Sequence, residues 1–160
     1  MTELLAIAPY PEAGALDVAK TGVERKWSIY YGGLAAGRGD GDFYLHLGRL
    51  SPEYGMADRK AWDDSSDFTM KTMWPKLAAL SFENVRTLAV PVFLFLGRHD
   101  TTTPPQIAAA WLGRLKAPSK SVVWFEDSAH LPMIEEPGRM LEALRSRVRP
   151  LAGKDLPHRD

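Results

Sequence analysis

At 160 residues with 45% hydrophobic side chains, the chain has the size and apolar content of one ordinary globular domain able to bury a core. Twenty basic residues offset twenty acidic ones, and no Lys/Arg stripe is long enough to track a phosphate backbone, which argues against a nucleic-acid partner. Cysteine is absent, which excludes disulfides, thiolate metal sites and a cysteine nucleophile.

The apolar stretch 4–8 is too short for a signal segment or a membrane span, and Glu3 stands where a basic leader would begin. A soluble, unexported, cytoplasmic protein with no membrane partner is expected. Residues 1–8 predict a helix with Leu4, Leu5 and Ile7 turned inward; 16–31 predict a second and 42–50 a third. A fourth is expected over 68–80, with Pro75 either kinking it or marking its start. Pro9, Pro11 and the glycines between 14 and 41 keep these helices short.

Beyond residue 80 the pattern becomes regular. Residues 90–96 are a near-continuous run of apolar β-formers ending at Gly97, which predicts a parallel strand covered on both faces. Pro104 and Pro105 open a helix with Ile107, Ala108, Trp111, Leu112 and Leu115 on one side. Residues 121–125 predict the next strand, and Pro137 opens a last helix with Met140, Leu141, Leu144 and Val148 inward. Strand, helix, strand, helix implies a right-handed crossover between parallel strands, with the loops leaving their C-terminal ends gathered on one rim.

Asp100 lies four residues after Leu96, and His130 five after Phe125, so both fall on that rim. A carboxylate there can accept from the imidazole Nδ1–H, fix the tautomer and stabilise the imidazolium formed when Nε2 takes a proton. Taken singly, Asp100 reads as a turn residue before Thr101–Pro105 and His130 as a surface-loop histidine. Together they read as an acid and a base. His99 is expected to point away, and Glu126 and Asp127 to be solvated or bonded to loop backbone.

The segment Val90-Pro-Val-Phe-Leu-Phe-Leu-Gly-Arg-His-Asp100 resembles the α/β-hydrolase strand that ends in G-x-x-D. Asp127-Ser-Ala-His-Leu-Pro-Met-Ile-Glu-Glu-Pro137 resembles that family's histidine loop, S-G-H-x-P-x-x-E-x-P, in the family's order and spacing. The resemblance covers 90–148 and implies an α/β chain with a partial α/β-hydrolase fold. A helical cap would occupy 1–80, the C-terminal lobe of the core 81–152 and a disordered tail 153–160. It makes Asp100 the triad acid and His130 the base, with no metal or organic cofactor.

The nucleophile elbow G-x-S-x-G is missing. None of Ser28, Ser51, Ser65, Ser66, Ser81, Ser119, Ser121, Ser128 and Ser146 has the glycine frame, and Ser65 and Ser66 read as a turn or helix cap. In the family the nucleophile half precedes the cap, so Met1 would fall inside the architecture. Two parallel strands alone would also leave an open edge. The expectation is a homo-oligomer or a complementary N-terminal lobe as partner.

Residues 3–11 and 26–33 are similar to the lid of proline-iminopeptidase-like members, although Ser28, Ile29 and Tyr30 follow Trp27 where those members often carry an acid. The resemblance implies that lid aromatics, here Trp27, Tyr30 and Tyr31 with Phe43, Tyr44 and Trp74, hold a small apolar group. Glu24, Asp40 or Asp42 would hold a substrate amine. The same aromatics also read as a packed core. The implied substrate is a small amide, ester or short peptide, including peptides with N-terminal proline. Two functions follow: the C-terminal part of a serine hydrolase, inactive alone, or a non-catalytic fragment or interaction module that keeps the packing.

Overall fold

The computed structural model describes residues 2–10, 17–77 and 79–151. The chain divides into two units. One comprises the residues up to Tyr31 together with Arg38–Asn84; the other comprises Gly32–Gly37 and the chain from Val85 onward. The expected tail, 153–160, lies outside the described residues.

The first unit is helical. α1 (Thr2–Ala6) is shorter than expected and buries nothing; Leu5 points to solvent rather than inward. α2 (Val18–Tyr30) starts at Asp17, whose side chain accepts the Lys20 N–H at 2.8 Å and so satisfies one of the orphan donors of the first turn. It stops at Tyr31, after which Gly32 takes φ +81°, a left-handed conformation that suits glycine at a helix end. A 3-10 helix spans Gly41–Leu50.

α3 (Met56–Leu77) runs through Pro75 and begins a dozen residues before the predicted helix. Asp58, its third residue, accepts the backbone N–H of Gly55 at 2.8 Å, one half of a capping box. Ion pairs Lys60–Asp64 and Arg49–Asp63 support its first half. Ser65 and Ser66 therefore lie inside a helix, not in a turn or cap. The early start escapes detection by periodicity because residues 56–66 are all exposed and carry no apolar stripe.

In the second unit, β1 (Val92–Gly97) and β2 (Lys120–Phe125) pair in parallel, Val92 opposite Lys120 and Gly97 opposite Phe125. α4 (Pro105–Arg114) connects them, with Pro105 at its first position as expected. Its inward side is Leu112 with Leu115 just beyond; Ile107, predicted inward, is 70% exposed. β1 side chains are only half buried, so the predicted covering of both strand faces is not found. A two-stranded sheet has too few neighbours to provide it.

Val123, Phe125 and Ala143 form the core, with Phe95 and Met140 packed against it; the Phe95 and Phe125 ring centres are 6.1 Å apart. Complete burial of Phe125 contributes about 2–3 kcal/mol of hydrophobic stabilisation. The last helix is interrupted: α6 (Pro137–Ala143) passes into a wide turn, Leu144–Val148, and a 3-10 turn, Arg149–Leu151. Leu141 and Leu144, expected inward, are exposed. A short helix absent from the prediction, α5 (Pro132–Glu135), follows His130. Among the described residues no helix is long and apolar enough to cross a membrane.

Candidate active site

β1 and β2 end side by side, and their exit loops are laced together. Arg98 N–H donates to the Phe125 carbonyl at 2.8 Å and His99 N–H to the Ser128 carbonyl at 3.0 Å. A Cβ at Gly97 would stand 1.8 Å from the Ala129 carbonyl oxygen, so only glycine allows the histidine loop to cross the strand end this closely.

In the first loop Asp100 Oδ1 accepts Thr103 N–H at 2.8 Å, and Oδ2 accepts the Thr103 hydroxyl at 2.8 Å. This is a side-chain-closed turn. The same Oδ2 lies 2.9 Å from His130 Nδ1, and Thr103 Oγ1 stands 3.3 Å from that nitrogen. The turn role and the partnered role of Asp100 are thus one arrangement: the turn points the carboxylate at the ring. The Asp100 side chain is 10% exposed while that of His130 is 34% exposed, so the carboxylate is shielded and the imidazole remains reachable. A carboxylate accepting Nδ1–H leaves Nε2 unprotonated and able to act as a base.

The second loop is held by two carboxylates, those of Glu135 and Glu136. Glu135 accepts from Ala129 N–H at 2.9 Å and from Ala36 N–H at 2.6 Å. Glu136 accepts from the Ser128 hydroxyl at 2.7 Å and from Asp127 N–H at 3.2 Å. Hydrogen bonds to an ionised acceptor are the stronger kind, and both glutamates are partly withdrawn from water. The backbone of residues 33–36 completes the support: His130 N–H donates to the Leu34 carbonyl at 3.1 Å, and the Thr102 hydroxyl to the Gly33 carbonyl at 3.2 Å. Leu34, Ala35, Ser128 and Ala129 are fully buried. Glu135 stood inside the quoted histidine-loop pattern, but nothing in the sequence ties 33–36 to residue 130.

Glu126, expected to be solvated or bonded to loop backbone, is engaged by a side chain instead. Glu126 makes a two-pronged pair with Arg98 at 2.8 and 2.7 Å, and that guanidinium, with smaller contributions from Arg139 and His99, holds the Glu126 carboxyl below the usual carboxylate range. Arg98 also lies 3.9 Å over the Trp124 ring.

In the first unit Trp27, Tyr30 and Tyr31 form one cluster: Trp27 and Tyr30 edge to face at 5.5 Å, Trp27 and Tyr31 stacked at 6.0 Å, and Tyr30 and Tyr31 edge to face at 5.2 Å. Tyr30 and Tyr31 are exposed, so the cluster is a surface feature and not a packed core. Trp27 and Tyr30, with Lys26, Ile29, Gly39 and Asp42, line a groove of about 500 Å³. The three acidic candidates therefore separate. Asp42 faces the groove; Asp40 is clamped by Arg38 through two bonds of 2.9 Å; Glu24 is partly buried, which pushes its carboxyl up. Phe43 stacks edge-on against Tyr44, and Trp74 Nε1 is buried with no hydrogen-bond partner among the described residues. Among the described residues no group of three or more His, Asp or Glu could hold a metal ion.

A probable aminopeptidase of Bacillus subtilis, YbaC, is 32% identical to this chain over 98 residues. The match takes in 61% of the chain but only 31% of the relative, so the chain corresponds to less than a third of that protein's length. No family model and no solved structure matches the chain.

Proposed function

We propose that this chain is the cap and C-terminal lobe of a serine hydrolase of the α/β-hydrolase fold, acting on small amides or esters. Peptides with a free N-terminal amine are its preferred class. The observation that carries the reading is the 2.9 Å approach of Asp100 Oδ2 to His130 Nδ1 between loops leaving neighbouring parallel strands. The printed name of the Bacillus relative, an aminopeptidase, is in keeping with it.

In the complete site a serine supplied from outside this sequence attacks the acyl carbon. His130 Nε2 takes its proton and returns it to the leaving group, and Asp100 holds the ring in the Nδ1–H tautomer. Substrate recognition is assigned to the groove at Trp27 and Tyr30, where Asp42 supplies the charge for an ammonium group and the rings an apolar surface. The alternative, a non-catalytic interaction module, is favoured by one observation: the sequence contains no G-x-S-x-G.

A serine-directed fluorophosphonate distinguishes the two. The chain is mixed with a separately expressed lobe carrying G-x-S-x-G, and labelling of that serine is followed. Labelling is expected to require this chain and to fall by about a thousandfold or more with His130→Ala. Equal labelling rates with and without His130 would remove the hydrolase reading.

A further inference from the structure

Among the described residues, a second cavity in the first unit shares no lining residue with the groove at Trp27 and is lined from the stretch 44–62. Its volume of about 330 Å³ is near the lower end of small-molecule sites. Three aromatic side chains line it: Tyr44 from the 3-10 helix, Tyr54 from the following turn and Trp62 from α3. Tyr54 and Trp62 are exposed despite their size, so the rings are not consumed by core packing.

The polar lining is unequal in what it has left to offer. Arg49 is held by Asp63 at 2.7 Å, and Asp58 is committed to the Gly55 N–H at the start of α3. Arg59 lies three residues before Trp62 and so on the same helix face. Its backbone N–H bonds the Gly55 carbonyl, but among the described residues no ion pair engages its guanidinium. His46, one 3-10 turn before Arg49, adds a further nitrogen donor.

We propose that this cavity binds a small aromatic carboxylate, its carboxylate paired with the guanidinium of Arg59 and its ring against the aromatic walls. A planar guanidinium matches a carboxylate through two parallel N–H bonds. Flat apolar rings are matched by stacking or edge-on contact. Inorganic phosphate would satisfy the cation but gain nothing from the rings. A neutral aromatic would gain the rings but leave the guanidinium partly desolvated without an acceptor. An amine would meet two guanidiniums against the single carboxylate of Asp58.

The test uses isothermal titration calorimetry on the full chain with 2-naphthoate and its neutral analogue 2-naphthamide. One-to-one binding of naphthoate is expected, weakened about tenfold or more for naphthamide and by Arg59→Gln. Arg59 is exposed, so the variant should unfold at the parent's midpoint, and Trp62→Ala should weaken both ligands. His130→Ala should leave binding unchanged, which separates this site from the hydrolytic one. The proposal is overturned by no saturable binding up to roughly 10 mM. Equal affinity for the two ligands, or an Arg59→Gln variant that binds naphthoate as the parent does, overturns it as well.

Discussion

At position 97 an added Cβ meets backbone: the carbonyl oxygens of Ala129 and Ser128, at 1.8 and 2.7 Å. Backbone held by the bonds at Arg98, His99 and Glu135 cannot step aside cheaply. Gly97→Ala is therefore expected to cost about 3 kcal/mol or more in urea unfolding. Gly113→Ala in α4, where nothing lies within 4 Å, should be neutral or stabilise by up to about 1 kcal/mol. Equal midpoints for the two variants would mean that the strand end is not packed as described. For the acid and base pair, ¹⁵N NMR of neutral His130 is expected to place the proton on Nδ1. Asp100→Asn should shift it toward Nε2, because an amide can donate to Nδ1. An Nε2–H tautomer in the unsubstituted chain would count against Asp100 as the orienting residue.

Among the elements, α4 owes its end to a residue of the strand that follows it. The Lys120 ammonium donates to the carbonyls of Leu112, Gly113 and Leu115 at 3.0, 2.9 and 2.6 Å, satisfying acceptors that a helix C-terminus leaves open. Lys120→Met keeps much of the stem and removes the donors; a loss of about 1.5 kcal/mol is expected by thermal unfolding. In α2, burial raises the Glu24 carboxyl above its ordinary value of 4.5, so the ionised form is the one that folding disfavours. That cost is present at neutral pH and disappears as pH falls through the raised value. Glu24→Gln should stabilise at pH 7, by less than about 1 kcal/mol because the group is largely solvated, and the difference should close on acidification. A Glu24→Gln gain that persisted unchanged below pH 4.5 would rule out this cause.

For the whole molecule, the second unit keeps much apolar surface in water: Val90, Ile107, Met133, Leu141 and Leu144 are exposed, and the sheet has only two strands. Under the proposed function this surface is expected to seat a complementary lobe or a second copy of the chain. Sedimentation velocity between about 1 and 100 µM is expected to show mass-action association, or complex formation once a complementary lobe is added. A monodisperse monomer that unfolds cooperatively and ignores the lobe would be incompatible with that assignment.

Residue order alone was enough to place both strands, the Pro-initiated helices after them and the pairing of Asp100 with His130, because each rests on a local signal. These are a run of β-formers, a proline at a helix start and a fixed distance past a strand end. The first half of α3 left no such signal, since a helix with no buried stripe looks like polar loop. Tertiary structure decided what holds the loops. Gly97 is needed because of Ala129, Glu135 reaches back to Ala36, and residues 33–36 leave the helices before and after them to support His130. The contacts of residues 33–36 with Glu135 and His130 span nearly a hundred residues, and on the 33–36 side they use backbone N–H and carbonyl groups, which place no demand on side-chain identity that a sequence could display.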